Sequence, residues 1–239
     1  MKHCVLMLIH KDIELVNTLL PLYPNSWDIY IHIDKKSNIT FKNIVRLSNV
    51  VWIEKQIDVG WQTYEMVDAE LLLLKSAYPY HYDYYHLVSG QCLPLRTEKE
   101  VDNIISHDYG KSFINRVFET HDGRLYDKFI FGSQWWSLSK QTVNWIFDNY
   151  HKVEELDRNY TKHLISKDEF IFQTLLYNNV PEMLVNDNLR YIKFFASVHP
   201  QMVGIDKYDM LMNGRFILTR KVDFESSKEL INRIEQRLL

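Results

Sequence analysis

The chain has 239 residues, of which 46% are hydrophobic, so it can bury one sizeable core. Its 28 basic and 31 acidic residues give a formal charge of -3, which provides no general positive field to attract nucleic acid. We therefore expect a single domain, residues 1–239, that is not a general nucleic-acid binder.

The first half of the chain alternates predicted strands with predicted helices. In chain order these are strand 3–9, helix 12–22, strand 28–34, helix 40–47, strand 50–53, helix 61–77, strand 84–89 and helix 97–106. This alternation favours an α/β fold with a mixed, mostly parallel central sheet flanked by helices. Strand 28–34 alternates strictly and ends at Asp34. Open α/β sheets bind ligands at the carboxyl ends of their strands, so we expect Asp34 to lie at a site.

The second half of the chain is less regular. Its predicted elements are strand 112–117, a polar segment 118–128, strand 129–138, helices 139–149 and 166–178, strand 216–219 and helix 226–238. We expect the strand that carries Trp135 to break the parallel order of the sheet. Because Gln134 and Trp136 share a face of an alternating strand, we predict that this pair faces the site and that Trp135 lies in the core.

The two cysteines, Cys4 and Cys92, lie on apolar segments, and their spacing matches neither a metal site nor a redox pair. We expect two buried, reduced thiols. The apolar run 4–9 is too short to span a bilayer and lacks a signal-peptide layout, and no later run reaches about 18 residues. These features predict a cytoplasmic protein.

Four segments of the chain resemble blocks of one known family. They are residues 89–95 (SGQCLPL), 132–139 (GSQWWSLS), 168–174 (DEFIFQT) and 220–223 (RKVD). In these blocks and in their order the chain resembles the core-2/I-branching family of glycosyltransferases, which includes the peptide O-xylosyltransferases. The resemblance implies a single-domain GT-A-type fold, with a nucleotide-binding half at about 1–110 and an acceptor-binding, catalytic half at about 111–239. The short chain looks more like the bacterial branch of the family.

The resemblance implies an inverting, metal-independent transfer of a sugar from a UDP donor to a hydroxyl of a saccharide acceptor. N-acetylglucosamine is favoured as the donor sugar, with xylose as the alternative. The implied setting is cell-surface polysaccharide assembly at the cytoplasmic face of the membrane. A lipid-linked acceptor and peripheral association with the membrane stay open. No cofactor is expected, because the UDP-sugar is a substrate.

Many nucleotide-sugar transferases hold a divalent cation on an Asp-x-Asp motif, and this sequence has no aspartate pair with that spacing. The nearest substitute is His32 with Asp34 on one strand face, which leaves a metal-dependent transferase as an alternative. Hard cations prefer several oxygen ligands, so we expect no metal site. Cationic side chains would then neutralise the leaving diphosphate, and Arg220 with Lys221 is the best pair late in the chain.

Glu169 has two interpretations. Inverting transfer needs a carboxylate that accepts the proton of the acceptor hydroxyl, and the resemblance implies that Glu169 is this general base. The sequence from Ser166 to Glu169 is also a capping box, with Ser166 as N-cap of helix 166–178. Both roles are compatible, because a helix N-terminus keeps a first-turn carboxylate ionised.

The remaining candidate residues form a donor set and an acceptor set. The predicted donor-binding residues are Ile9, His10, Asp34, Lys35, Ser89, Gly90, Gln91, Arg220 and Lys221. The predicted acceptor-binding residues are Gln134, Trp136, Gln173 and Tyr191.

Two departures from the family pattern bear on activity. The arginine that the family places on the diphosphate has no counterpart here, so His199, Arg215 or Arg220 would substitute for it. Cys92 stands where the family usually has an aspartate, and a thiol does not accept hydrogen bonds as a carboxylate does. These departures leave a non-catalytic nucleotide-sugar or glycan-binding protein of the same fold as an alternative.

Overall fold

The computed structural model describes residues 1–60, 63–120, 128–160, 166–194 and 200–239. The strands are β1 His3–Ile9, β2 Asp28–Ile33, β3 Val50–Trp52, β4 Tyr84–Ser89, β5 Leu93–Pro94, β6 Ser112–Phe113, β7 Phe118–Thr120, β8 Phe129–Phe131, β9 Ser137–Ser139, β10 Leu184–Val185, β11 Arg190–Ile192 and β12 Leu218–Arg220. The α-helices are α1 Ile13–Leu19, α2 Tyr64–Ala77, α3 Glu98–Ser106, α4 Lys140–Asp148, α5 Tyr150–Tyr160, α6 Ile171–Asn179, α7 Tyr208–Asn213 and α8 Lys228–Leu238.

The central sheet has seven strands in the order β10-β6-β9-β4-β1-β2-β3. Strands β4, β1, β2 and β3 are parallel, and β9 runs antiparallel to both β4 and β6. The predicted mixed, mostly parallel α/β sheet is therefore confirmed. The strand that follows Trp135 is the one that breaks the parallel order, as expected. Two smaller sheets flank the centre: β11-β12-β5 and the hairpin β7-β8.

Apolar side chains fill both faces of the sheet, because successive residues of a strand point to opposite sides. Ile29, Ile31 and Ile33 of β2 pack into the core on the side of α1 and α3. Tyr30 packs on the opposite side, with α2. No helix among the described residues is long and apolar enough to cross a membrane.

Two predicted elements are wrong. Residues 40–47 contain only the 3-10 turn Phe41–Asn43, because Asn43 accepts hydrogen bonds at Oδ1 from the backbone and hydroxyl of Thr40 and closes the turn locally. The single strand 129–138 is two strands, β8 and β9, separated by residues 132–136. Gly132 causes this break through close backbone approach, because a Cβ there would lie 2.0 Å from the carbonyl oxygen of Asn115.

Two helices, α5 and α7, were not predicted from the sequence, and neither was β5. Neither helix has a clear helical repeat of apolar residues in its sequence, because α5 is rich in charged residues and α7 has only six residues. Strand β5 has only two residues, Leu93 and Pro94, both paired with β12, so it is too short to show the alternation that marks a strand.

Candidate active site

The parallel strands β4, β1 and β2 place their carboxyl ends together at one edge of the sheet. The backbone N–H of Asp34 donates to the carbonyl of Ile9 (2.9 Å), and that of Gly90 donates to the carbonyl of Leu8 (3.1 Å). Ile9 is buried, whereas His10, the next residue, is exposed. Loss of hydration lowers the pKa of His10, and nearby positive groups, including Lys221, lower it further. The predicted donor residues of three strands therefore lie at one edge.

Asp34 organises the turn after β2. Its Oδ1 accepts hydrogen bonds from the backbone N–H of Lys36 (2.9 Å) and of Val59 (3.4 Å). The backbone N–H of Lys35 donates to the carbonyl of Ile57 (3.0 Å), and the Lys35 side chain is exposed. A carboxylate has about four lone-pair sites, so Asp34 can still accept a hydrogen bond from a ligand hydroxyl.

His32 lies below this turn and is buried. Its Nε2 accepts the backbone N–H of Ile57 (3.0 Å), and burial lowers the pKa of the ring. This nitrogen is therefore occupied by the protein itself, although His32 was considered as a partner of Asp34 in a metal site. Among the described residues, no group of three or more His, Cys, Asp and Glu side chains is placed to hold a metal ion.

The turn from Ser89 to Cys92 follows β4. Gly90 is required here because a Cβ would lie 2.7 Å from Cγ2 of Val16 and 3.0 Å from Cγ2 of Ile9. The Cys92 thiol is buried and points back into the turn, 3.4 Å from the Ser89 hydroxyl. The predicted burial of both cysteines as free thiols is confirmed.

Gln91 connects this turn to the end of β12. Its side-chain Nε2 donates to the carbonyl of Val222 (3.4 Å), and its own carbonyl accepts the N–H of Val222 (3.2 Å). Val222 directly follows Arg220 and Lys221, so two predicted donor segments that lie about 130 residues apart in sequence are adjacent in the fold. Gln91 itself is buried, and its side chain acts within the protein.

Arg220, at the end of β12, is near enough to Glu169 and Asp168 for their charges to affect its pKa. Its guanidinium carbon lies 4.1 Å from the centroid of the Trp135 ring, a cation–π distance. Loss of hydration lowers the Arg220 pKa, whereas the charges of Glu169 and Asp168 act in the opposite direction. Lys221 is partly buried, and loss of hydration followed by the charge of Lys11 lowers its pKa.

Of the two described substitutes for the family's arginine, Arg215 and Arg220, only Arg220 is near the carboxylates of Asp168 and Glu169. Arg215 lies elsewhere: it is 3.6 Å from Asp108 and also donates to the carbonyl of Ile104. His199 lies outside the described residues.

Glu169 ends the 3-10 turn Lys167–Glu169 and is partly buried. Burial raises its pKa to about 7, and the neighbouring Asp168 contributes to the increase, whereas a hydrogen bond from Ser166 and the charge of Arg220 oppose it. Burial likewise raises the pKa of Asp168 to about 6. A carboxylate with a pKa near neutrality and a cation beside it is suited to take up a proton during a reaction.

The predicted capping box at Ser166 is wrong. Ser166 has a φ of 61°, in the left-handed region, and its side chain makes no cap hydrogen bond, whereas an N-cap residue is normally extended. The α-helix begins five residues later, at Ile171. The Ser166 side chain instead contacts the Glu169 carboxylate, so Glu169 is not occupied by a helix cap.

Trp135 is buried in the core as predicted, but the prediction that Trp136 faces the site is wrong. Trp136 is completely buried and packs on Phe172 with 5.3 Å between ring centroids, so it has no surface for an acceptor. Trp135 is the ring that meets Arg220. Residues 132–136 do not form a strand, and the alternation on which the prediction rested does not apply.

The other predicted acceptor residues are also engaged within the protein. Gln134 is buried and donates through Nε2 to Oε1 of Glu70 (2.7 Å). Gln173 is completely buried and donates to the carbonyl of Ser133 (2.6 Å), so it does not line an open cleft. Tyr191 is partly buried and packs edge-on against Phe216, with centroids 5.5 Å apart.

Sequence reasoning missed Glu70, Asp168 and Trp135 as parts of this site. Glu70 had a visible signal: it falls on the apolar stripe of α2 with Val67, Leu71 and Leu74, where a carboxylate is out of place. Trp135 and Asp168 had no sequence signal of a role at this site, because only the packing of β12 reveals that Arg220 lies near them.

A cleft of about 600 Å³ opens beside this edge of the sheet. It is lined by Lys11, Asp12, Ile13, Glu14, Leu15, Gln91, Met202, Asp223, Phe224 and Glu225. The volume is within the usual range for small-ligand sites, about 300–1,000 Å³. The side chains of Met202 and Phe224 are exposed, and they provide apolar surface among hydrogen-bonding groups.

A family model described as "Core-2/I-Branching enzyme" matches residues 6–128 and 124–211, which is most of the chain. Xylosyltransferase 2 of Rattus norvegicus is 25% identical over 212 residues, which cover 74% of this chain and 24% of that protein. Xylosyltransferase 2 of Homo sapiens is 24% identical over the same length. The matched region thus spans about a quarter of these relatives, as the 24% coverage shows.

The solved structure of apo-form glycosyltransferase GlyE from Streptococcus pneumoniae TIGR4 is similar over 100% of this chain and 60% of that chain. The TM-score is 0.51 at 10% sequence identity, so the likeness is one of fold. It confirms the expected GT-A-type fold. With the family model matched over most of its length, the chain belongs to the core-2/I-branching enzyme family.

Proposed function

We propose that the protein is an inverting glycosyltransferase that moves a sugar from a UDP donor to a hydroxyl of a saccharide acceptor. The observation that carries this proposal is the position of Glu169, a partly buried carboxylate with a pKa of about 7, beside the cationic end of β12. Family membership and the names of the xylosyltransferase relatives support the reaction class.

In the proposed reaction Glu169 is the general base. The acceptor oxygen attacks the anomeric carbon from the face opposite UDP, and the carbon–oxygen bond to the diphosphate breaks as the new glycosidic bond forms. Glu169 accepts the hydroxyl proton, and UDP leaves with the bonding electron pair. A pKa near 7 suits this role, because the base is then partly ionised at neutral pH and still basic enough to take the proton.

Arg220 and Lys221 would neutralise the diphosphate as it leaves. Both side chains have lost part of their hydration, so their charges are less screened than those of surface residues. These two cations support a metal-independent mechanism. The uridine or ribose would lie at the carboxyl ends of β1 and β2, where Asp34 can accept a hydroxyl hydrogen bond.

The donor sugar is N-acetylglucosamine or xylose. Family resemblance favours the first, and the name of the xylosyltransferase relatives favours the second. The lining of the cleft beside Gln91 includes neither Glu169 nor Arg220, so it would hold a saccharide unit away from the reacting carbon. Its carboxylates would accept hydroxyl hydrogen bonds, and the exposed Phe224 ring would provide a stacking surface. We place the reaction in cell-surface polysaccharide assembly at the cytoplasmic face of the membrane.

The test is UDP release from UDP-N-acetylglucosamine and UDP-xylose with a panel of saccharide acceptors in the presence of EDTA. Glu169→Gln removes the base while keeping the side-chain shape, and we expect a loss of kcat on the order of 10²-fold or more with unchanged UDP affinity. Glu182→Gln, an exposed glutamate after α6, is the matched control and should behave as wild type.

Equal activity of Glu169→Gln and wild type would exclude Glu169 as the base. Activity that EDTA abolishes and added Mn²⁺ restores would indicate the metal-dependent alternative. Tight UDP binding without turnover of either donor would favour the non-catalytic alternative that Cys92 suggests.

A further inference from the structure

Glu70 is a completely buried carboxyl group with no role in the reaction proposed above. It lies on the inward face of α2, among Val67, Leu71 and Leu74. Burial raises its pKa well above the usual glutamate value, and the charge of Asp168 adds to the effect. An isolated buried carboxylate is costly, so this side chain is kept as the neutral acid.

Glu70 is connected to Arg220 through two consecutive residues, Gln134 and Trp135. Its Oε1 accepts a hydrogen bond from Nε2 of Gln134 (2.7 Å). Gln134 is followed by Trp135, whose ring lies 4.1 Å from the guanidinium carbon of Arg220. The residue that Glu70 holds is therefore next in sequence to the residue whose ring contacts the cation.

The segment between β8 and β9 depends on side-chain contacts for its conformation, because it lies outside both strands. Asn115 Oδ1 accepts the N–H of Ser133 (2.8 Å), and Gln173 donates to the Ser133 carbonyl (2.6 Å). Only Glu70 is recorded as a hydrogen-bond partner of the Gln134 side chain among the described residues. The Trp135 N–H donates to Ser133 Oγ (3.2 Å), so the backbone is held on both sides of residue 134. Loss of Glu70 would leave the buried Gln134 amide without this partner, and we expect the rearrangement of that side chain to displace the adjacent indole.

Glu70 carries a buried polar atom without a hydrogen-bond partner among the described residues, as do Asp168 and Arg220. These atoms are Oε2 of Glu70, Oδ1 of Asp168 and Nε of Arg220. The charge of Asp168 acts both on Glu70 and on the proposed base Glu169, so a negative charge on Glu70 is disfavoured because like charges in a low-dielectric site repel strongly. A neutral acid can hold Gln134 without adding that charge.

We propose that Glu70 is a positioning residue for sugar transfer: by holding Gln134 it fixes the Trp135 ring, and the ring holds the Arg220 guanidinium toward the donor diphosphate. This inference rests on the proposed function for the role of Arg220. Its kinetic signature is a change in donor KM that exceeds any change in kcat, because Arg220 contacts the donor and Glu169 is untouched.

The experiment compares Glu70→Leu, Glu70→Gln and the control Glu65→Gln, an exposed glutamate on the same helix. For each, donor KM and kcat are measured, together with the Trp135 indole N–H signal by NMR, assigned with Trp135→Phe. We expect Glu70→Leu to raise donor KM on the order of tenfold, the range of a desolvated cation–π contact, and to shift the indole signal. Glu70→Gln keeps the accepting oxygen and should remain within about twofold of wild type.

An indole signal that stays at the wild-type position in folded Glu70→Leu overturns the inference whatever the kinetics. A shifted signal with unchanged donor KM leaves the positioning role intact and contradicts the proposed role of Arg220. If Glu70→Leu does not fold, the double variant Glu70→Leu, Gln134→Leu is measured instead. It removes both hydrogen-bonding partners and so avoids an unpaired buried amide. The double variant should show the same rise in donor KM.

Discussion

The rate of transfer should depend on pH through Glu169, whose pKa is raised to about 7. A raised pKa means that the base is protonated, and inactive, until the pH exceeds that value. A group with a pKa of about 7 is about nine-tenths ionised at pH 8 and about one-tenth ionised at pH 6, so kcat/KM should fall about tenfold between them. The assay is initial UDP release at saturating acceptor across this range.

Asp168→Asn tests the cause of the raised pKa. Removing the adjacent charge should move the acidic limb of the profile to lower pH, while burial still keeps the Glu169 pKa above its usual value. Asp209→Asn, an exposed aspartate on α7, is the control and should leave the profile unchanged. A kcat/KM that is equal at pH 6 and pH 8 in the wild type would refute the assignment of Glu169 as a base with this pKa.

Two further predictions concern stability. Burial lowers the pKa of His86 well below its usual value and also lowers that of His3, whose Nδ1 lies 2.9 Å from Nε2 of His86. At these two side chains the unfolded chain binds more protons, so the stability that they contribute is present above pH about 6.5 and is lost as the pH decreases below it. The raised pKa values of Glu169 and Glu70 act in the opposite direction on the whole protein, so the contribution is measured as the Tm difference between wild type and His86→Gln. This difference should shrink from pH 7 to pH 5.5, and a difference that grows would contradict the prediction. Gly90→Ala should lower the free energy of unfolding by about 1–3 kcal/mol, measured in urea, because its Cβ would meet Val16 Cγ2 at 2.7 Å and Ile9 Cγ2 at 3.0 Å. Val16→Ala removes the closer contact, so the Gly90→Ala, Val16→Ala double variant should lose less stability than the sum of the losses of the two single variants. A loss in the double variant equal to that sum would exclude the clash.

The regular elements near the site could be predicted because their signals are local. Strand 84–89 was predicted with the bounds that β4 has, and strand 28–34 extends β2 by one residue. Each has an alternating or continuous apolar run, and burial on both faces of a parallel sheet leaves that run visible in the sequence. The Ser89 to Gln91 turn and Asp34 therefore fall at the predicted edge.

The second half was harder to predict because its irregular segments are determined by distant contacts. The sequence of residues 129–138 reads as one strand, but the approach of Gly132 to the Asn115 carbonyl breaks it, and Trp136 is buried with Trp135 instead of facing the site. The capping signal at Ser166 was likewise overridden, because that residue adopts a left-handed conformation beside Glu169.

The sequence by itself determined the fold class, the edge of the sheet at which a ligand would bind, and the family, through four blocks in a fixed order. Those features depend on the periodicity of apolar residues and on short motifs, and both can be read within a single segment of the sequence. Only the tertiary structure decided that Arg220 lies on Trp135 beside Glu169 and that Glu70 is buried under Gln134. These contacts join residues that are far apart in the chain. They could not be predicted from the sequence because burial and charge interactions depend on which distant surfaces pack together.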